Sequence, residues 1–316
     1  MPLLFTNNFR QSFRLQNTIS DHVVINGFGF WSGEDVQLEF CPAKPDSGVY
    51  FVRTDLSGEQ RIPALVEYRE EKQRQTSLVN GAARVDMVEH VLAALRALNI
   101  DNCEIRTNRP EMPGFDGSAC KFFVALNQAG VIAQAAIRKI RLVAKSIRVE
   151  GIDSFINVNP SREGGSVYQY TLTPSEGYPP VNQDYRFKFS TESFCSEIMD
   201  ARTFLSKNEA DYLLAAGLCQ RVTPQDVLVL TPSGPIDNNY RYNNECARHK
   251  VLDMVGDFSL TDCDWCGVFD SYRGGHALNA ECVRQLLDNT ILLDESFVPK
   301  NSNLMNIKQE LQNRAA

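Results

Sequence analysis

The chain has 316 residues, 43% of them hydrophobic and 22% charged, with a net charge of −7. That composition describes a globular protein long enough for two domains of roughly 150 residues each, and its acidic balance excludes general attraction to nucleic acid or to an anionic membrane, so any phosphate site must be local. No apolar run approaches the ~18 residues of a membrane span, so no integral membrane segment is expected, and the opening MPLLFTNNFRQ lacks the apolar core of a secretory leader; the expectation is a cytoplasmic protein.

From the N-terminus to about residue 134, turn signals (INGFGFWSG, KPDSG, LSGEQ, VNGAA) punctuate short predicted strands. The helix DMVEHVLAALRAL, the strand NCEIRT and a second helix from about Ser118 follow. Strands restart at about 137 with IRKIRLVAKSIRV and continue through FINVN, VYQYTLT and YRFKFS. Helices near 205–216 and 244–259, the strand GVFDSYR and a helix after Gly275 complete this half. Strands first and helices later, twice over, predict an α+β protein of two similar domains, 1–134 and 135–298, followed by a flexible tail at 299–316. Nine scattered cysteines read as reduced thiols, and the CDWC pair (Cys263, Cys266) as a turn leading into a strand. The basic residues Arg138, Lys139, Arg141 and Lys145 read as a solvated sheet face.

RHKVLDMVGD, residues 248–257, concentrates charge in an otherwise apolar run. On a helix, His249, Lys250, Asp253 and Asp257 share an arc of about 100°, opposite Val251, Met254 and Val255. Such a face meets either solvent, with a His249–Asp253 ion pair, or a cleft. In DMVEHVLAALRAL the bulky residues share one side, while Glu89 and His90 lie on the other with Ala93 and Ala97, small enough for another element to approach closely. A hydrolytic zinc takes three protein ligands and a nearby carboxylate base. His249 and Asp253, one turn apart, can supply two ligands and His90 the third, with Glu89 placed to receive the proton of the attacking water. RGGHALN sets His276 at an apparent helix start, accessible for acid catalysis.

Together with GSA at 117–119 and ARTF at 201–204, the strings VEHVLAALRALNIDN, RPEMPGFDGSA, RHKVLDMVGD and GGHALN resemble the UDP-3-O-acyl-N-acetylglucosamine deacetylase family, in order and from about residue 15 to about 290. The resemblance implies two α+β sandwiches, each of β-α-α-β type, with the active site at their interface, and one Zn2+ per chain held by His90, His249 and Asp253. It implies Glu89 as general base, His276 as general acid oriented by Asp257, and Lys250 and Thr203 as stabilisers of the tetrahedral intermediate. It further implies Phe204 in a substrate-contacting segment, Arg273 toward a diphosphate, and Leu213 and Leu214 along a passage for an acyl chain. The expected substrate is a UDP-linked acylated amino sugar, deacetylated in lipid A synthesis.

Two departures stand out. The family's paired glycines after the helix ending in GL are replaced by Gln220 and Arg221, in a loop expected to approach the sugar, and the histidine of GLHSG is Trp31. Thr203 also reads as a cap for the helix near 205, Asp257 as a last-turn acid and Arg273 as a surface charge. The rival functions are a zinc deacetylase paralogue for another N-acetylated sugar and a non-catalytic binding protein on the same fold.

Overall fold

The computed structural model describes residues 13–58, 60–174 and 181–315. The opening segment read for a leader, residues 1–11, lies outside the described residues. The first half of the chain forms β1 (Leu15–Ile19), β2 (Val23–Phe28), β3 (Asp35–Pro42), β4 (Val49–Arg53), β5 (Arg61–Pro63), β6 (Arg69–Glu70), β7 (Ser77–Asn80) and β8 (Ala83–Asp86), then α1 (Glu89–Ala97), β9 (Cys103–Thr107) and α2 (Cys120–Gln128). After β10 (Val131–Ile137) come β11 (Lys139–Leu142), β12 (Ile147–Gly151), β13 (Ser154–Asn159), β14 (Ser166–Leu172) and β15 (Gln183–Lys188). The segment β16 (Phe204–Ser206), α3 (Lys207–Ala215), β17 (Leu228–Thr231) and β18 (Gly234–Pro235) precedes α4 (Glu245–Asp257), β19 (Cys263–Tyr272), α5 (His276–Asn289), β20 (Ile291–Leu293) and α6 (Asn303–Ala315). The protein is α+β.

Strands of the first half make a five-stranded sheet, β2-β3-β9-β4-β5, and a smaller one, β6-β7-β8. The second half builds its large sheet around β19, which pairs with β11, β13 and β14. Alternation explains which faces are buried: Leu38 and Phe40 of β3 point inward while Gln37 points out, and β15 alternates strictly along its length. One continuous cluster of buried apolar side chains runs through both halves, from Ile19 to Leu286. No helix among the described residues is long and apolar enough to cross a membrane.

Helices α1 and α4 cross at Gly256, where a β-carbon would stand 2.0 Å from the main-chain oxygen of Glu89. This contact joins the two catalytic-looking sequence motifs, and it requires the residue with no side chain. The solvated reading of the 248–257 face is overturned, because His249, Asp253 and Asp257 are at most 2% exposed.

Four further expectations change. The run from 137 to 149 is not one strand but parts of β10, β11 and β12. Arg138 is buried, its guanidinium 3.1 Å from both Asp101 and Asp264, which also hold Arg14, while Arg96 reaches Asp264 at 3.2 Å. A basic residue so enclosed is stabilised by its carboxylate partners rather than by solvent. CDWC lies within β19, where positions three apart face opposite sides of the sheet, so Cys263 and Cys266 do not converge; all nine thiols are free. Beyond residue 299 the expected flexible tail is helical as α6, with Leu304, Met305 and Leu311 packed on Leu15, Ile137 and Val298.

Candidate active site

Both halves of the chain line one cavity of ≈ 1020 Å³. Glu89 and His90 open α1, His249, Lys250 and Asp253 come from α4, and His276 begins α5; Thr203 and Phe204 arrive with β16. Ser206, not Thr203, caps α3, through a capping box with Glu209. Thr203 is held instead by Gly117: its N–H donates to the Gly117 carbonyl at 2.8 Å and its hydroxyl reaches the same oxygen at 3.1 Å. Gly117 needs its freedom here, with φ +76° and no room for a β-carbon beside Asp226.

The Nδ1–H of His249 donates to the Ala201 carbonyl at 3.1 Å, which turns the Nε2 lone pair toward Asp253. Asp253 Oδ1 lies 3.3 Å from His249 Nε2 and 3.4 Å from His90 Nε2, is buried, and has no hydrogen-bond partner among the described residues. Burial, opposed by Asp253, drives the His249 pKa down to about 3, so its imidazole is neutral at physiological pH. Two imidazole nitrogens and a carboxylate oxygen converging on one buried point fit a bound cation, and the N₂O donor set suits a borderline divalent metal. Asp253 Oδ2 accepts from Lys250 Nζ at 2.9 Å. Burial opposes ionisation of Asp253, yet His249 and Lys250 outweigh it and hold its pKa well below the usual carboxylate range.

Two acid–base groups flank this point. Glu89, 3% exposed, accepts the Thr76 backbone N–H at 2.9 Å; burial pushes its pKa up, against the pull of His276 and His90. The Nδ1–H of His276 faces Asp257 Oδ2 at 2.8 Å. Burial would discharge this imidazole, but Asp257 and Glu89 more than compensate and raise its pKa to about 9, leaving it protonated near neutrality. Asp257 is itself enclosed, taking hydrogen bonds from Asn279 Nδ2 at 2.8 Å and Thr76 Oγ1 at 2.6 Å.

Leu213 and Leu214 of α3 line the cavity, as do Trp31, Cys219, Val222 and Val227. Of the altered loop, Val222, Thr223 and Pro224 line the cavity. Arg221 points away from it: the guanidinium donates to the Gly33 carbonyl at 2.7 Å and to Asp35 at 2.8 Å, over the ring of Phe28. Arg74, from the loop between β6 and β7, reaches Glu209 of α3 at 2.7 Å. Arg273, half-buried, is not part of the cavity wall, and its guanidinium has no ion pair among the described residues.

Sequence reasoning missed Thr76, Asn279 and the buried pair Arg202–Glu245, whose 2.7 Å bridge fixes the backbone beside Ala201 and Thr203. Asn279 lay in the quoted GGHALN, one turn after His276, and helical spacing alone could have found it. Thr76 is 181 residues from Asp257 and gave no signal.

A family description, UDP-3-O-acyl N-acetylglycosamine deacetylase, matches residues 16–288. Proteins named UDP-3-O-acyl-N-acetylglucosamine deacetylase are similar across most of the chain. The one from Anaeromyxobacter sp. (strain Fw109-5) is 35% identical over 86% of this chain and 88% of its own. That from Psychrobacter arcticus is 32% identical over 87% and 86%, and that from Brucella melitensis biotype 2 is 34% identical over 87% and 96%.

Proposed function

Since the chain belongs to the UDP-3-O-acyl-N-acetylglucosamine deacetylase family, we propose that it hydrolyses the N-acetyl group of a UDP-3-O-acyl-N-acetylglucosamine, in the cytoplasm, as a step of lipid A synthesis. The carrying observation is the unpartnered Asp253 Oδ1 facing two imidazole nitrogens, with Glu89 and His276 beside it. In this reading the chain forms two domains, 1–134 and 135–298, that share the cavity, and His90, His249 and Asp253 hold one Zn2+. When bound, zinc supplies Lewis acidity and makes water a nucleophile at neutral pH.

The residues of the chain carry the rest. Glu89, its pKa raised by burial, takes the proton of the attacking water as oxygen bonds to the acetyl carbon. The carbonyl oxygen becomes an oxyanion beside the Thr203 hydroxyl and the Lys250 ammonium, which Asp253 keeps charged despite burial. The C–N bond then breaks as His276 gives a proton to the leaving amine, and acetate departs. Asp257 holds the imidazole in the tautomer whose Nε2 carries that proton. Phe204, edge-on to the His249 ring at 6.1 Å, closes one side of the reacting centre. Leu213 and Leu214 take the acyl chain, and Arg273 is the candidate for the diphosphate.

Purified zinc-loaded protein supplied with the acylated nucleotide sugar should release acetate, and UDP-N-acetylglucosamine without the acyl chain should be a poor substrate. Equal turnover of both favours a paralogue for another sugar; zinc-loaded protein that binds the acylated compound without turnover is a binding protein.

A further inference from the structure

Thr76 stands in the loop between β6 and β7, has no solvent exposure, and touches both carboxylates that the proposed reaction needs. Its backbone N–H donates to Glu89 Oε2 at 2.9 Å, its hydroxyl donates to Asp257 Oδ1 at 2.6 Å, and its carbonyl accepts the N–H of Val88, the residue just before α1, at 3.3 Å. Glu89 comes from α1 and Asp257 from the last turn of α4, so one residue grips the ends of two crossing helices.

We propose that Thr76 is a positioning residue that fixes the base, Glu89, relative to the acid pair, Asp257 and His276. The proposal rests on the deacetylase reading. Two acid–base groups acting on opposite ends of one scissile bond must keep a set separation, because sub-ångström misplacement costs rate. The crossing at Gly256 sets where the helices meet; Thr76 sets where their carboxylates point. Asp257 has three donors, from Thr76, His276 and Asn279, and the hydroxyl of Thr76 is the donor to Oδ1. Without it, the carboxylate is free to rotate and lean on its remaining partners, taking the His276 ring with it. Second-layer partners of this kind are typically worth about 10- to 100-fold in activity.

The test uses full-length, zinc-loaded protein with Thr76→Val, which keeps shape and backbone N–H but loses the hydroxyl, and Thr76→Ser, which keeps the hydroxyl. The valine variant should retain zinc and KM, lose about 10- to 100-fold in kcat, and move the His276 ring Nδ1–H proton resonance downfield as Asp257 becomes a stronger acceptor toward it. The serine variant should return kcat to within about threefold of wild type and restore the resonance. A valine variant with unchanged kcat, an unmoved resonance, or a serine variant as impaired as valine would each overturn the proposal. Should the valine variant not fold, hydrogen exchange of the Thr76 hydroxyl in the wild type decides: protection supports the bond to Asp257 and free exchange refutes it. Failure of the wild type to release acetate would refute the deacetylase reading instead, while the resonance still reports on Thr76.

Discussion

At the scale of single residues, the chemistry is set by environment. His276 is held protonated up to about pH 9 by Asp257. If its protonated form serves the leaving amine, as proposed, kcat should fall as pH rises through about 9, and Asp257→Asn should bring that limb down toward the ordinary histidine value; a limb unmoved in the variant, read from kcat against pH, removes Asp257 from this task. The same pair contributes stability below the unfolded histidine value, about 6.5, and loses it as pH rises through about 9. Glu89→Gln and His276→Ala should keep zinc yet lose about 10² or more in kcat, whereas His90→Ala, His249→Ala and Asp253→Ala should lose the metal itself. Elemental analysis beside the assay separates the two groups. One-turn spacing put His249 and Asp253 together in the sequence, and the family resemblance, more than spacing, joined Glu89, His90 and His276 to them. Arg138 was misread for the complementary reason: its carboxylate partners, Asp101 and Asp264, are distant in sequence, and a basic strand with invisible partners looks solvated.

At the scale of elements, α1 and α4 were legible from their apolar periodicity, and their crossing was hinted at by Ala93 and Ala97. What sequence could not give was the point of closest approach. Gly256→Ala places a methyl group 2.0 Å from the Glu89 carbonyl oxygen, which backbone cannot absorb without moving. Overpacking of this kind costs about 1–3 kcal/mol or more, and here it displaces the proposed base along with the helix. The expected result is a lowered midpoint in thermal unfolding together with a kcat loss larger than instability explains at a temperature where the variant is folded. A wild-type kcat in folded Gly256→Ala protein would show that the helices have slack. The last helix, α6, escaped notice because its residues are mostly polar and the few that pack, Leu304, Met305 and Leu311, find their partners on β1 and β10, at the far side of the sequence.

At the scale of the whole molecule, the fold class was readable from the order of strands and helices, while the position of the altered loop was not, since nothing local tells whether a loop meets sugar or lipid. Its apolar residue Val222 lines the same cavity as Leu213, so in the proposed reading the loop bears on acyl recognition. Each buried methylene contributes about 0.8 kcal/mol, and kcat/KM should favour the acylated substrate by orders of magnitude. The wall is tied to the first half of the chain by two exposed ion pairs, Arg221 with Asp35 and Arg74 with Glu209. Charges in water are screened over about 10 Å at 0.1 M salt and about 3 Å at 1 M, and exposed pairs are worth at most about 1 kcal/mol. The grip on the lipid should therefore slacken with ionic strength: KM for the acylated substrate rises up to about fivefold between low and high salt, more steeply in the wild type than in Arg221→Gln. A cell's salt balance would then tune how firmly the enzyme holds its chain.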